Sequence, residues 1–295
     1  MAGPLLIADV PWLLYRSFFA LPKSITDADG RPVNALLGTV NVILSLLETP
    51  PPSGVARAVV ACTGAEEARY RVELYPPYHA HREPMPPELA AQWRLAPSLL
   101  EAFGWSVPGS DDLEADDVMY SYALAEQRRG GRALLLTGDR DLYGAASERV
   151  AVLELRKNES PLELGPEQVR ERYGVAPAVV PDFIALRGDP SDGLPGAPGI
   201  GAKTAAALLQ EHGTLENLLA VATSDGVGGG LRPRVAAALA ANEQLLLDFK
   251  RIATLQLIDV AEPLGGATDF AAGGARAREL GMRRLAERLE RLAAA

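Results

Sequence analysis

The chain has a single cysteine and no long apolar run. Cys62 is the only cysteine among 295 residues, which excludes a disulfide framework and a cysteine-based zinc site. No uninterrupted apolar segment approaches the roughly 18 residues needed to span a bilayer. Residues 1–9 lack a basic n-region, and Asp9 interrupts their apolar run, so they do not resemble a signal peptide. From these absences we expect a cytoplasmic protein with no membrane association.

Positive charge is also in deficit. The formal net charge is −9, which taken alone argues against a nucleic-acid partner. The basic residues are nevertheless grouped, and the two groups are Arg69, Arg71, His79, His81 and Arg82, and Arg232, Arg234, Lys250 and Arg251. The overall charge therefore weakens non-specific binding but permits local phosphate contacts. Hydrophobic residues make up 48% of the chain, enough for a substantial core. A chain of 295 residues can build one large domain or two modest ones.

Short apolar runs alternate with helical segments in the first part of the chain. Residues 5–8, 58–61, 133–137 and 150–155 are typical of buried strands, residues 105–107 predict a brief strand, and 35–47 and 114–128 predict helices. This alternation predicts an α/β fold with a mainly parallel central sheet and helices on both faces. In such sheets, ligand sites lie beyond the carboxyl ends of the strands.

The remaining segments lack strand signals. Residues 75–97 are rich in proline and basic residues, and we expect an exposed, mobile excursion there. Helical patterns prevail from Asp182 onward, with a flexible glycine loop at 226–230 and a solvated helix over 275–295. The sequence thus divides into an α/β core over residues 1–180 and a helical region over 181–295.

Carboxylates form four short clusters, each where a predicted strand or helix ends. Their members are Asp9, Glu114, Asp116, Asp117, Asp139, Asp141, Asp189 and Asp192. Carboxylates brought together from distant segments repel one another unless a cation neutralises them, so their convergence would imply a divalent metal. Each cluster alone has a simpler interpretation, namely helix capping at 114–117 and a solvated turn at 139–141. Together, the four clusters favour a metal site.

A glycine-rich turn at residues 196–204 follows the last acidic cluster and opens onto a predicted helix. Backbone N–H groups at such a turn, aided by the helix dipole, can hold a DNA phosphate. A tight turn before a helix explains the pattern equally well when it is considered alone. The candidate DNA-binding residues are Gly196, Gly199, Ile200, Gly201, Lys203 and Thr204.

The ordered motifs resemble the 5′ nuclease family, which includes flap endonucleases, phage 5′ exonucleases and the amino-terminal nuclease domain of bacterial DNA polymerase I. Residues 9–20 are similar to the first acidic strand and its Tyr-Arg-x-Phe-Phe-Ala segment. Residues 70–82 resemble the basic start of the helical arch. Residues 113–117, 137–141 and 186–205 are similar to the acidic motifs and to the glycine turn after them.

This resemblance implies a free-standing structure-specific 5′ nuclease that cleaves DNA flaps, nicks or 5′ ends in bacterial replication or repair, at the nucleoid. It implies Mg²⁺ or Mn²⁺ as cofactor, two or more ions on the eight carboxylates, and a possible K⁺ at the glycine turn. It also implies a helical arch at about 76–112 and a helix–turn–helix-type DNA-binding region over 181–295. Arg71, His79 and Arg82 would act on the scissile phosphate, unless they belong to an ordinary solvated basic loop.

Two departures from the family pattern bear on catalysis. Residues 59–64 supply no aspartate at the end of the second strand, and the usual lysine of the arch is His79. The first departure removes an expected metal ligand, and the second replaces a permanent cation by a mostly neutral ring. An alternative is therefore a weakened family member that binds branched or flap DNA without efficient cleavage. A more remote alternative is an α/β phosphatase acting on small phosphoesters.

Overall fold

The computed structural model describes residues 3–156, 159–224, 231–263 and 265–294. Its sheet has the strand order β2-β1-β3-β4-β5. The strands are β1 Leu5–Asp9, β2 Ala58–Cys62, β3 Ala133–Leu136, β4 Val150–Glu154 and β5 Leu162–Leu164. The first four are parallel, and β5 pairs antiparallel with β4. The predicted mainly parallel sheet is confirmed, and β5 is an edge strand that the sequence analysis did not predict.

Helices surround this sheet and continue into the C-terminal part of the chain. They are α1 Val10–Ala20, α2 Asn34–Glu48, α3 Arg69–Leu74, α4 Pro87–Glu101, α5 Ala115–Arg128, α6 Pro166–Tyr173, α7 Val180–Arg187, α8 Ala202–His212, α9 Leu215–Thr223, α10 Pro233–Ala241, α11 Glu243–Ala253, α12 Phe270–Glu279 and α13 Arg283–Ala293. Short 3₁₀ turns occur at Asp141–Ala145 and Pro177–Val179. Among the described residues, no helix is both long enough and apolar enough to cross a membrane.

Strand β1 shows why the sheet is covered on both faces. Leu5 and Ile7 belong to one hydrophobic cluster, whereas Leu6 and Ala8 belong to a second on the opposite face. Successive strand side chains point to opposite faces, so a continuous apolar run needs a cover on each side. Helices α7–α11 extend the first cluster, and α1, α2, α4 and α13 supply the second. The predicted helices on both faces are confirmed.

The exposed excursion is shorter than the sequence suggested. Within the segment 75–97, helix α4 begins at Pro87 and buries Leu89 and Ala96. Gln92 Oε1 accepts hydrogen bonds from the backbone N–H groups of Ala35, at 2.7 Å, and Leu36, at 3.2 Å. Because these bonds tie α4 to the first turn of α2, the prediction of a freely exposed segment is wrong for α4.

Two further expectations change, and one falls outside the described residues. Residues 105–107 do not form a strand; Ser106 makes a single parallel bridge with Val60. The tail predicted as a solvated helix is two helices, α12 and α13, which bury Ala277, Leu285 and Leu289 in the second cluster. The glycine loop predicted at 226–230 lies outside the described residues. The division into 1–180 and 181–295 stays a prediction.

Candidate active site

A recess of about 1110 Å³ opens at the carboxyl ends of β1 and β3. Seven of the eight predicted metal ligands line it, namely Asp9, Glu114, Asp116, Asp139, Asp141, Asp189 and Asp192. They come from four separate chain segments, so the predicted convergence is present. The eighth, Asp117, is not among the lining residues, and its side chain is fully buried.

Local geometry explains how each element delivers its carboxylate. Asp9 ends β1 and caps α1, because its Oδ1 accepts from the N–H of Trp12 at 2.9 Å. Its Oδ2 accepts from the Thr137 hydroxyl at 2.7 Å, which ties the ends of β1 and β3 together. Glu114 precedes α5, so Asp116 lies in the first turn of that helix, where the dipole favours negative charge.

The last acidic cluster lies on a tight loop before the glycine turn. Asp189 and Leu194 form an antiparallel bridge, and Gly193 at φ 75° turns the chain between them. Asp189 is held by Arg187 at 3.1 Å, and its Oδ1 accepts from the N–H of Ser191 at 2.8 Å. This fixed loop presents Asp192 to the recess.

The crowded carboxylates repel one another. Burial raises the pKa of Asp9 to about 6, although hydrogen bonds from Thr137 and Trp12 oppose the change. Asp139 is exposed to the open recess. Desolvation by the surrounding protein atoms, then the charges of Asp116 and Asp192, raises its pKa well above the ordinary range. Desolvation and the Asp139 carboxylate likewise raise the pKa of Asp141. A cation bound among these groups would relieve this repulsion.

The donor chemistry fits a hard divalent cation, since Mg²⁺ and Mn²⁺ prefer carboxylate oxygens. The ligand types are suitable, but the distances between them do not form a complete metal site. In the part of the chain that the structure describes, no three acidic, histidine or cysteine side chains stand close enough to enclose a metal ion together. The recess therefore gathers suitable ligands without arranging them around a single point.

A buried arginine that does not line the recess contacts two of the acidic lining residues. The Arg71 guanidinium contacts Glu114 Oε1 at 2.9 Å, Asp116 Oδ2 at 3.0 Å and Asp117 Oδ1 at 3.1 Å. Its side chain is 3% exposed. Asp117 Oδ1 also accepts from the N–H of Gln256 at 2.6 Å, and desolvation followed by the charge of Asp116 raises the pKa of Asp117 to about 7. Asp117 thus lies behind the recess, in a buried network.

The second strand ends in a buried thiol beside the site, where the family pattern has a carboxylate. Cys62 ends β2 and is the register partner of Asp9 in the neighbouring strand. Its side chain is buried, and desolvation raises the pKa of the thiol well above its usual value. The residue that ends β2 therefore cannot replace the missing aspartate as a hard oxygen ligand.

His79 lines the recess but is almost fully buried, although the sequence placed it at the scissile phosphate. Its backbone adopts φ 55°, the one positive φ of a non-glycine residue in the described part of the chain. The ring stacks on Tyr78 with centroids 3.8 Å apart, and Nε2 lies 3.1 Å from Asp192 Oδ1. Tyr78 in turn donates its hydroxyl to Glu114 at 3.1 Å. His79 and Tyr78 therefore connect carboxylates on opposite sides of the recess.

Arg82 is the predicted catalytic cation that remains accessible. Its side chain is 47% exposed, lines the recess and contacts Asp192 Oδ1 at 3.2 Å. Arg140 and Arg187 also line the recess, and the sequence analysis did not select them. Both lie within the quoted acidic motifs, so proximity to the predicted ligands was the available signal.

Aromatic side chains form one wall of the recess. Tyr15, Phe19 and Trp93 line it, and Tyr15 lies 6.4 Å from Phe19 and 6.2 Å from Trp93 between ring centroids. Phe18, on the same helix, is buried in the core. Phe19 is 71% exposed.

The glycine turn lies beside a second cavity of about 910 Å³, lined in part by Arg140, Arg172, Arg187 and Lys203. Arg140 and Arg187 line both cavities, so the turn and the acidic recess adjoin. A Cβ built on Gly199 or Gly201 meets no atom within 4 Å, which leaves that backbone open to a ligand.

The other members of the predicted DNA-binding set differ in exposure. Gly196 packs so closely that a Cβ would lie 2.3 Å from the backbone N of Gly188. Ile200 is buried, Thr204 is half-buried, and Lys203 is exposed in the first turn of α8. Gly196 and Ile200 therefore hold the turn in place, while Gly199, Gly201 and Lys203 form its accessible surface.

Comparison with protein families gives two consecutive matches. The family model described as the N-terminal, resolvase-like domain of 5′-3′ exonuclease matches residues 4–174. The model described as the C-terminal SAM fold of 5′-3′ exonuclease matches residues 175–264.

Individual relatives agree with these matches. The chain is 38% identical over 263 residues to a 5′-3′ exonuclease of Mycobacterium tuberculosis, covering 81% of each chain. It is also 38% identical over 236 residues to DNA polymerase I of the same organism, covering 79% of this chain and 26% of the polymerase. A flap endonuclease of bacteriophage T5, solved as a pseudo-enzyme–product complex with DNA and metal ions, has the same fold, with a TM-score of 0.66 at 18% identity over 99% of this chain and 100% of that one.

Proposed function

Since the chain belongs to the 5′-3′ exonuclease family, we propose that it is a structure-specific 5′ nuclease that hydrolyses DNA phosphodiesters at flaps, nicks and frayed 5′ ends. Replication and repair are the processes that produce such ends. The observation that carries the proposal is the convergence of seven carboxylates from four chain segments in one recess at the sheet edge. Action at the bacterial nucleoid stays a prediction.

The recess-lining carboxylates are the proposed holders of Mg²⁺ or Mn²⁺. A divalent cation held there would increase the acidity of water and stabilise negative charge on the phosphate and the leaving oxygen. Asp9 and Thr137 fix the ends of β1 and β3 relative to each other, and Asp117 supports Asp116 from behind through Arg71.

Positively charged side chains of the protein would position the DNA strand. Arg82 at the rim is exposed and would meet a phosphate that approaches the acidic wall. Arg140 lines both cavities, and it would contact the DNA sugar–phosphate backbone between the recess and the glycine turn. Such contacts fix the register of the strand without reading its sequence, which suits an enzyme that recognises DNA structure.

The glycine turn is the proposed duplex anchor. The first N–H groups of α8 have no intrahelical partners, and no side chain caps them. Together with the open backbone at Gly199 and Gly201 they can hold a phosphate some distance from the cut. A K⁺ on the carbonyl groups of residues 196–201 is a further prediction of the family resemblance.

The decisive experiment compares the wild-type protein with Asp139→Asn on a labelled 5′-flap DNA in Mg²⁺ and in Mn²⁺. We expect wild-type cleavage near the flap junction that leaves a 5′-phosphate, and no detectable cleavage by the variant. A 3′-flap of the same sequence is the matched substrate control. Tight flap binding without turnover by the wild type would instead identify a family member that only binds DNA, and turnover confined to small phosphoesters would identify a phosphatase.

A further inference from the structure

Two buried side-chain amides, those of Asn34 and Gln92, lie where helices α1, α2 and α4 meet. Asn34 is fully buried and Gln92 is 1% exposed. Gln92 Nε2 donates to Asn34 Oδ1 at 3.2 Å and to the backbone carbonyl of Glu88 at 3.3 Å. Buried amides destabilise a fold unless they are hydrogen-bonded. Every nitrogen and oxygen of this amide pair has a partner, and the remaining partners belong to helix ends.

Asn34 closes the end of α1. Its Nδ2 donates to the carbonyl oxygens of Phe18, at 2.9 Å, and Leu21, at 3.0 Å. In a continuing helix, the Phe18 carbonyl would accept from the N–H four residues later. That position is Pro22, which has no N–H. Asn34 therefore supplies a hydrogen bond that α1 cannot make within itself.

Gln92 closes the start of α2. The first N–H groups of a helix lack partners inside it, and the residue before α2 makes no side-chain cap. Gln92 Oε1 instead accepts from the N–H groups of Ala35, at 2.7 Å, and Leu36, at 3.2 Å. Ala35 and Gln92 are 57 residues apart in the sequence, so this cap joins α4 to α2 and, through Asn34, to α1.

Helices α1 and α4 also carry the aromatic wall of the recess, which is Tyr15, Phe19 and Trp93. Tyr15 and Phe19 lie on α1, and Trp93 lies on α4 next to Gln92. The rings of Tyr15 and Trp93 meet edge to face, with centroids 6.2 Å apart. Phe19 directly follows the residue whose carbonyl the amide pair holds. The amide pair therefore fixes the wall residues of α1 relative to the wall residue of α4.

We infer that Asn34 and Gln92 are positioning residues that hold the aromatic wall ready to stack an unpaired base, and that they make the protein select 5′ ends with unpaired nucleotides over fully paired ends. The inference deepens the proposed nuclease function and rests on it. Aromatic rings stack on any base, so the wall would select unpaired DNA without reading its sequence. A wall that is already in place loses less conformational freedom on binding than one that the substrate must order.

Gln92→Met tests the inference, because methionine is also unbranched but lacks both hydrogen-bonding groups of the amide. Fluorescence anisotropy in Ca²⁺ gives the Kd for a 5′-flap DNA and for a nicked duplex without unpaired 5′ nucleotides. We expect flap binding to weaken about tenfold, as the loss of one stacked base would cause, and binding of the nicked duplex to stay unchanged. Cleavage of the flap in Mn²⁺ should show KM raised about tenfold and kcat changed less than about twofold.

A double-mutant cycle separates positioning of the wall from other effects of the substitution. Trp93→Ala removes the wall residue of α4, so Gln92→Met should add little to the flap Kd in that background. Losses of the same size with and without Trp93 would overturn the inference, because Gln92 would then act independently of the wall.

Glu126→Met is the matched control for lost stability. Glu126 is also buried, and it pairs with Arg57 at 2.6 Å in the last turn of α5, whereas the recess lies at the first turn. This variant should lower the urea midpoint as Gln92→Met does, but leave the ratio of the flap and nick Kd values unchanged. An equal change of the ratio in Glu126→Met would assign the effect to stability and overturn the inference.

Gln92→Glu decides the question if Gln92→Met does not fold. Glutamate keeps an acceptor for the start of α2 but loses both donors, so flap binding should weaken about threefold. A wild-type ratio of Kd values in Gln92→Glu, or equal affinity of the wild type for the two DNAs, would overturn the inference. Failure of the wild type to cleave either DNA would overturn the nuclease proposal, whereas the Kd values would still test the amide pair.

Discussion

The Nε2 atom of His79 lies 3.1 Å from Oδ1 of Asp192, and the backbone N–H of His79 donates to the Asp192 carbonyl, also at 3.1 Å. Two contacts of this kind fix the position of Asp192 at the recess. His79 also stacks on Tyr78, which bonds Glu114. We therefore expect His79 to be a positioning residue that aligns Asp192 and Glu114, and not a group that contacts the substrate.

Replacing His79 tests this positioning role. His79→Ala removes the stacked ring and the Asp192 partner, and we expect kcat on a 5′-flap substrate to fall about tenfold with KM little changed. His79→Asn tolerates the positive φ and retains a polar side chain, so it should recover part of the loss. Steady-state kinetics give both constants. His81→Ala, at an exposed neighbour, is the control, and an equal loss there would contradict the assignment.

Asp139 and Asp117 should differ in their effect on cleavage, although both were predicted as metal ligands. Asp139→Asn removes a carboxylate that lines the recess and should lower kcat on the order of 100-fold or more. Asp117→Asn keeps the oxygen that accepts from Gln256 and Arg71, so kcat should change less than about tenfold. Single-turnover cleavage in Mn²⁺ measures both. If kcat falls as much for Asp117→Asn as for Asp139→Asn, Asp117 is a metal ligand after all.

Stability in the presence of EDTA should fall as the pH rises. The pKa of Asp9 is raised by burial from 3.8 to about 6, so its neutral form is favoured in the folded state. The stability gained from the neutral form is complete below pH 3.8 and is lost as the pH rises through about 6. The full difference corresponds to roughly 3 kcal/mol. Urea unfolding at pH 5 and pH 8 measures about half of this difference, because the other half is lost between pH 3.8 and pH 5.

The variant Asp9→Asn isolates the contribution of this residue. It should reduce the pH dependence by part of that amount, and the remaining dependence would come from the other raised carboxyl groups, such as Asp117 with a pKa of about 7. Asp29→Asn is the control, because Asp29 is exposed. Identical pH profiles for the wild type and Asp9→Asn would show that Asp9 titrates normally.

Phe19 should contribute to substrate affinity but not to stability. It is 71% exposed in the aromatic wall, where a base of an unpaired 5′ end can stack on it. Stacking of a base on an aromatic ring is worth about 1–3 kcal/mol, so Phe19→Ala should weaken flap binding about tenfold. Fluorescence anisotropy in Ca²⁺ measures the Kd. Val55→Ala, which removes an exposed apolar side chain elsewhere, should leave the Kd unchanged.

Lys203 should contribute one phosphate contact. Lys203→Ala removes an exposed cation from the first turn of α8, next to the glycine turn. The slope of log Kd against log salt for duplex DNA should then decrease by about one. Binding titrations between 50 and 200 mM KCl measure the slope. Lys23→Ala serves as the control, since Lys23 pairs with Glu88 of α4. An unchanged slope for Lys203→Ala would show that Lys203 does not bind a DNA phosphate at the glycine turn.

The sequence predicted the sheet and the location of the recess because both depend on local signals. Buried runs such as residues 133–136 are apolar throughout, and in a parallel sheet the residues that come directly after the strands lie at one edge. By contrast, strand β5 has three residues, too few to show a periodic pattern. Helix α4 contains Pro97, which interrupts the helical signal, yet the helix continues to Glu101.

The charge arrangement inside the recess was not predictable in the same way. Arg71 and its partner Asp116 are separated by 45 residues, so only the folded chain brings them together. His79 was expected at the scissile phosphate, because nothing nearby in the sequence shows that its ring is buried against Tyr78. Local pattern thus indicated which residue types reach the site, whereas tertiary packing decides which of them face the substrate.

The two terminal helices have a consequence for how the protein loses its structure. Helices α12 and α13 lie beyond residue 264, where the second family match ends, yet Leu285 and Leu289 belong to the same apolar cluster as Phe103 and α4. A shortened protein that stops at residue 264 would expose this apolar surface to water and be prone to aggregation. The nuclease half would then lose its tolerance to heat even though every recess-lining residue is still present.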